Sequence, residues 1–242
     1  MAFDSLLLEH CQSSSNPGPV LRFYFWNGSW LSLGRHQTRG SSHWNRLVRD
    51  GHLQLVRRPS GGSAVLHGGS LTYALIWPNP PRKRREAYRC VNTWLCSGLK
   101  RLGLELRQGI DPAFAENPNC FARATAADLV DISGQKRIGS AQFWQRGHLL
   151  QHGEIPLNPP KQLWHEIFGT APPSWDPLPP SPTSVETALT EAVMELWPGL
   201  DWKMMPISPL EQEQVRERSA AYRVEESEVS WINPEARNEV TA

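Results

Sequence analysis

The chain has 242 residues, 39% hydrophobic and 9% aromatic, with a formal net charge of +1. That apolar content can fill a sizeable core, while a charge so near zero argues against a general nucleic-acid or membrane-surface role. No apolar run reaches the ~18 residues that span a bilayer, and the opening MAFDSLLLEHCQSS has early acidic residues and no basic stretch. No signal peptide is therefore expected, and the expected location is cytoplasmic.

Residues 3–11 place Phe3, Leu6, Leu7 and His10 on one helical face. After the loop SSSNPGP, the segments LRFYFW (21–26) and WLSLG (30–34) read as strands, and Asn27-Gly28 between them predicts a hairpin. HLQLVRR (52–58) and SLTYALIW (70–77) are further strands, the second stopped by PNPP. From Arg84 to Leu102 the period becomes helical, with Tyr88, Val91, Leu95, Leu99 and Leu102 on one face. LELRQ (104–108) reads as a strand, and 126–157 as short strands turning at Ser133-Gly134 and Arg146-Gly147. A proline-rich connection (171–183) precedes a helix over 184–197 with Ser184 as N-cap, and another helix begins near Pro209. Residues 1–230 are expected to form one domain, and 231–242 a polar tail. Hairpins mixed with a few helices predict an α+β fold. Four irregularly spaced cysteines without a CxxC predict reduced thiols.

Two stretches concentrate chemistry. In RRPSGGSAVLHGGSLTYAL (57–75), a glycine-weakened cationic loop precedes a strand. Gly61-Gly62 alone would be a tight turn; no GK[ST] follows, and no helix opens there as a dinucleotide motif requires. Arg57 and Arg58 would be costly to bury unpaired. The second stretch, GQKRIGSAQFWQRGHLLQHGEI (134–155), holds Lys136, Gly139, Ser140 and His152. His67 and His152 can each be pocket or structural residues, and neither has metal-ligand spacing, so no metal site is expected.

RRPSGGSAVLH resembles the RRxSGGGxVxH signature of the lipoate–protein ligase family, which includes octanoyltransferases and is related to biotin ligases. GQKRIGSAQ resembles that family's lysine motif, QHGEI its HGS(I/L) strand, and RFYFW with LSLGRHQ its first hairpin; the likeness runs over about residues 2–225. LTY after the histidine, and Cys120-Phe121 sixteen residues before Lys136, resemble the octanoyltransferase branch with a nucleophile on a cysteine loop. Ser63 departs from that branch's Arg and the ligases' Gly, and Gly68 stands where Asp commonly follows the histidine.

The resemblance implies a class II synthetase-like biotin/lipoate ligase catalytic fold, a mixed, mostly antiparallel sheet flanked by helices. It implies transfer of an octanoyl (lipoyl-type) group from acyl carrier protein to a lysine of a lipoyl-domain protein through a Cys120 thioester. Attack requires a thiolate, which a nearby ammonium favours, and Lys136 would then polarise the acyl carbonyl. The alternative for Cys120 is an idle loop thiol, and for Lys136 outside its motif a surface lysine at a strand end with little packing. Asp128 either orients the cysteine loop or caps a turn. Substrate contacts would come from Arg57, Arg58, Ser60, Gly61, Gly62, Ser63, His67, Gly139, Ser140 and His152, with Val65, Leu66 and Ile138 as apolar walls. The run RKRR (82–85) is a solvated face or a dock for an acidic carrier. Transfer would need no cofactor. The alternatives are an ATP- and magnesium-dependent lipoate (or biotin) ligase working through an adenylate, and a non-catalytic acyl-relay module. A monomer is expected, binding neither nucleic acid nor membrane.

Overall fold

A computed structural model of the chain describes residues 1–111, 117–175, 178 and 181–232. Helix α1 (Ala2–Ser13) leads to β1 (Val20–Tyr24), β2 (Trp30–Leu33), β3 (Arg39–Ser41), α2 (Ser42–Arg49), β4 (Gln54–Arg57), β5 (Val65–His67) and β6 (Ser70–Trp77). Then come α3 (Arg84–Lys100), β7 (Arg107–Gln108), β8 (Leu129–Val130), β9 (Lys136–Gln145) and β10 (His148–Pro156). Helices α4 (Lys161–Phe168), α5 (Pro182–Leu196) and α6 (Pro209–Ser219) and strand β11 (Ser230–Ile232) complete the order. The architecture is α+β, as the sequence pattern predicts, with the mostly antiparallel pairing that the resemblance implies.

A six-stranded antiparallel sheet runs β1-β6-β10-β9-β8-β7. Alternation sorts its side chains onto two faces. Leu71, Tyr73, Leu75, Ile138 and Ile155 pack against Val91, Trp94 and Leu95 of α3 and Val185 and Leu189 of α5. The opposite face is built in rows across the strands: Val20–Ile76–Leu150–Phe143, then Arg22–Ala74–His152–Ala141, then Tyr24–Thr72–Glu154–Gly139. Leu8 and Cys11 of α1 cover the apolar first row; the later rows are polar. A smaller sheet, β4-β2-β5, packs with α2 and α4 around Leu31, Leu33, Leu55, Leu66, Trp44 and Trp164. The space between the two sheets is where the two motifs meet.

Asn27-Gly28 turns the chain, with Gly28 at φ 83, but makes no hairpin. β1 pairs with β6 in the larger sheet, while β2 pairs with β4 and β5 in the smaller one. Trp26 gives the reason: its indole donates to Thr72 Oγ1 at 3.0 Å and stacks on His67 at 4.3 Å between centroids. The turn is anchored onto β6 and β5, and tertiary pairing overrides the local signal. Only Arg107–Gln108 of the expected LELRQ strand pairs, because Leu104 and Leu106 pack on the core instead. The helix expected from Ser184 starts at Pro182, with Ser181 as N-cap and the proline in its first turn. Helices α2 and α4 escape sequence reading because each buries only two side chains, Trp44 and Leu47 or Trp164 and Ile167. β11 pairs in parallel with β3, so Trp231 and Ile232 belong to the fold rather than to a tail. Residues 233–242 of the expected tail, and 176, 177, 179 and 180 of the proline-rich connection, lie outside the described residues. Among the described residues no helix is long and apolar enough to cross a membrane.

Candidate active site

The cysteine loop is tied to the glycine loop by backbone. Ala64 N–H donates to Pro118 O at 3.1 Å and Cys120 N–H to Ala64 O at 3.0 Å. Asn119 caps the short turn Cys120–Ala122 by accepting from Phe121 N–H. Cys120 Sγ is thereby delivered to the start of β9. Lys136 Nζ lies 3.3 Å from Cys120 Sγ, 2.8 Å from Cys120 O and 3.0 Å from Asp128 Oδ1. Gly139 leaves the room for this: a Cβ there would sit 3.1 Å from Lys136 Cε and 3.6 Å from Cys120 Sγ.

Lys136 is 4% exposed, so it is not the loosely packed strand-end lysine that the sequence suggests. Burial works against its charge, but the Cys120 sulfur and the Asp128 carboxylate outweigh burial and hold the ammonium above its ordinary value. Asp128 takes the turn-capping role that the sequence leaves open and adds a contact to Lys136. Its Oδ2 accepts from Thr125 N–H and Oγ1, capping the turn, while Oδ1 faces Lys136 and accepts from Ser140 N–H at 3.2 Å.

A pocket opens beside Cys120, lined by Arg58, Gly61, Gly62, Cys120, Gly139 and Ser140 together with Val65, His67, Thr72, His152 and Glu154. Arg58 is buried, yet among the described residues it makes no ion pair with a carboxylate. Its guanidinium donates to Ser32 O at 2.7 Å, Ser63 O at 2.6 Å and Gly61 O at 3.0 Å, bracing the glycine loop from beneath. Burial pushes its pKa down, against the pull of Cys120. Gly62, at φ 96, adopts the left-handed backbone this loop needs. Ser63 thus contributes its carbonyl, which any residue would supply. Arg57 lies outside the pocket lining and binds the carbonyls of Gly34 and Gln37 at 3.2 and 2.7 Å. A Cβ on Gly68 would meet Pro160 at 3.5 Å, an ordinary packing distance.

Ser60 Oγ lies 2.5 Å from His152 Nε2. Burial first, and then the Arg58 guanidinium, push the His152 imidazole down to about 3 against the pull of Asp4, so the ring is neutral near pH 7. His67 Nε2 is 2.7 Å from Ser32 Oγ and its Nδ1 2.8 Å from Glu154 Oε2. The Ser140 hydroxyl is tied to Tyr73 OH at 2.8 Å on the sheet's other face. Of the expected apolar walls, Val65 lines the pocket, whereas Leu66 and Ile138 belong to the two cores.

Sequence reasoning left Asp128 undecided and missed Glu154, Phe121 and Trp175. Trp175 donates its indole N–H to Lys136 O at 2.8 Å and packs on Phe121, whose ring centroid is 5.4 Å from Lys136 Nζ. Glu154 had a signal in the strand QHGEI, where the resembling pattern carries Ser. All four cysteines are free; Cys96, pushed up to about 11 by burial, packs on the core. Arg82, Lys83, Arg84 and Arg85 are exposed where α3 begins. No cluster of three metal-ligating side chains occurs among the described residues.

A model of the lipoyl protein ligase A/B catalytic domain matches residues 1–187. Octanoyltransferase LipM of Bacillus subtilis is 36% identical over 180 residues, covering 69% of this chain and 64% of that protein. The Bacillus cereus protein of the same name is 35% identical with the same coverage. The chain thus spans 64% of the length of these relatives. Among solved structures, a putative lipoate protein ligase from T. acidophilum with bound lipoic acid superposes with a TM-score of 0.72 at 20% identity, over 91% of this chain and 90% of that one. Lipoate-protein ligase A bound with ATP gives 0.71 at 20% identity, over 90% and 87%. At such identity these two establish the shared fold.

Proposed function

The chain belongs to the lipoyl protein ligase A/B catalytic-domain family, and on that premise we propose that it is an acyltransferase that carries an octanoyl-type group on Cys120. Residues 1–230 would act as one catalytic unit. The observation that supports this most is the 3.3 Å contact of Lys136 Nζ with the sulfur of Cys120, a residue that lines the pocket. The identity to proteins named octanoyltransferase supports the acyl group.

In the first half-reaction the Cys120 sulfur attacks the thioester carbonyl of an acylated carrier protein. The new C–S bond forms, the carrier's C–S bond breaks, and the carrier leaves as its thiol with the proton that Cys120 gave up. Lys136 donates to the sulfur beforehand and faces the oxyanion that develops. In the second half-reaction the amine of an acceptor lysine on a lipoyl-domain protein attacks the acyl-enzyme. The amide forms, the C–Sγ bond breaks, and the amine proton returns to sulfur. Asp128 holds Lys136 charged through both steps, and Trp175 fixes its backbone. The scheme uses no cofactor.

The test offers purified protein an octanoyl carrier protein and a lipoyl-domain acceptor without ATP, and follows acceptor mass. An octanoylated acceptor is the expected result. Modification only from free acid with ATP and magnesium would replace transfer by an adenylate ligase; binding without modification under either condition would make the chain a relay module.

A further inference from the structure

We infer that the pocket selects an acyl group of octanoyl length that carries a hydroxyl, and that Glu154 is the residue that selects it; this rests on the acyl-binding reading above. Glu154 is 2% exposed and lies on the pocket-facing row of the larger sheet, paired with Gly139, the residue against which Cys120 Sγ sits. One carboxylate oxygen is engaged: Thr72 Oγ1 donates to Oε2 at 2.6 Å, and His67 Nδ1 lies 2.8 Å from it. The ring of Trp26 closes this group from behind by stacking on His67 and donating to Thr72. The geometry of Oε2 is therefore fixed, and Glu154 has no freedom to turn away from the pocket.

The other oxygen, Oε1, is buried without a hydrogen-bond partner. Two residues along the same face, His152 Nδ1 is also buried without one, its Nε2 being taken by Ser60. Both residues line the pocket, and Val65, Ala141 and Gly153 add apolar lining. Buried polar atoms that native folds leave unpaired call for an explanation, and a ligand is one. An all-methylene chain laid along this wall would leave both atoms unpaired in a dry site. A hydroxyl both donates and accepts, so with the His152 proton on Nδ1 it can donate to the carboxylate oxygen and accept from the imidazole, completing both. Sites built to bond a substrate hydroxyl discriminate strongly against the analogue that lacks it, because their own groups are then stranded.

Calorimetry on the full chain tests this without any turnover, using octanoic acid and a series of hydroxyoctanoic acids with the hydroxyl at successive carbons. One member is expected to bind at least about tenfold tighter than octanoic acid, the value of one buried hydrogen bond. Glu154→Ser should abolish that preference and tighten octanoic acid, with unfolding midpoints recorded to confirm a folded variant. The wild-type series decides the matter even if that variant fails to fold. Octanoic acid binding as tightly as every hydroxy acid would overturn the inference and assign the open atoms to ordered water; so would binding of none. Failure here leaves thioester formation on Cys120 untouched, and failure of that chemistry leaves the binding series untouched.

Discussion

On one face of the larger sheet, Leu71, Tyr73 and Leu75 of β6 pack against Trp94 and Leu95 of α3. On the other, Thr72 of the same strand joins Glu154, His67 and Trp26 in a buried polar group beside Cys120. Both faces exclude water, but they do so by different physics. The apolar face is held by volume and area, so any side chain of similar shape serves. The polar face is held by specific pairs, so removing one partner strands the other, and among the described residues Glu154 Oε1 and His152 Nδ1 have no hydrogen-bond partner while His67 Nδ1 has only its ion-pair contact with Glu154. Substitutions on the first face should act on stability, and those around the second on chemistry.

The largest effect expected on the apolar face is from Leu75→Ala. Leu75 is fully buried, and truncation should cost about 2–5 kcal/mol of unfolding free energy. Chemical denaturation would measure this, and the fraction that stays folded should acylate at the wild-type rate. On the other side, Lys136→Met should lower the transfer rate by about 10²–10³, the loss typical of an oxyanion donor. It should also destabilise, since Asp128 would be left buried without its cation. The double variant Lys136→Met/Asp128→Asn should recover stability and no activity. If activity returned with stability, Lys136 would be structural only.

His152 offers a smaller, pH-dependent contrast. Its folded-state pKa is about 3, below the 6.5 of an exposed imidazole. Between these values the unfolded chain binds the proton and the folded chain does not, so stability is full above about pH 6.5 and falls as pH drops toward 3. Asp4, held at about 2 by the N-terminal ammonium and Arg22 against its burial, adds a loss of the same sign only below its ordinary value of 3.8. In the window from about pH 4 to 6.5, His152→Gln should flatten the slope of unfolding free energy against pH. An unchanged slope would mean that the ring is protonated in the fold. The smallest effect belongs far from both faces. Ser208 caps α6 in a reciprocal box with Glu211, and Ser208→Ala should cost about 1 kcal/mol by denaturation while leaving transfer unaltered.

The residues that chemistry dictates were the legible ones. Cys120, Lys136 and the glycine loop are read from sequence because their residue types and order leave few other uses; Cys120 and the glycine loop line one pocket, and Lys136 Nζ lies 3.3 Å from the Cys120 sulfur. Arg57 and Arg58 were not separable in sequence. Adjacent strand positions point oppositely, and only the fold decides that Arg58 braces the loop while Arg57 binds Gly34 and Gln37. The hairpin at Asn27-Gly28 misled because a turn signal reports local geometry, whereas Trp26 commits the two strands to different sheets. Asp128 and Glu154 depend on partners found across strands, which no local pattern encodes. The sparse faces of α2 and α4 hid those helices for a related reason: most of each helix faces solvent.

The central claim is that Cys120 carries the acyl group, and intact-protein mass spectrometry tests it directly. Incubation with octanoyl carrier protein and no ATP should raise the mass by one octanoyl unit, and hydroxylamine should remove it. Cys120→Ser should give no adduct, while Cys96→Ser should give the wild-type one, since burial pushes the Cys96 thiol up to about 11 and its sulfur donates to Leu106 O at 3.5 Å. Full transfer activity in Cys120→Ser, supported by free acid with ATP, would contradict the account.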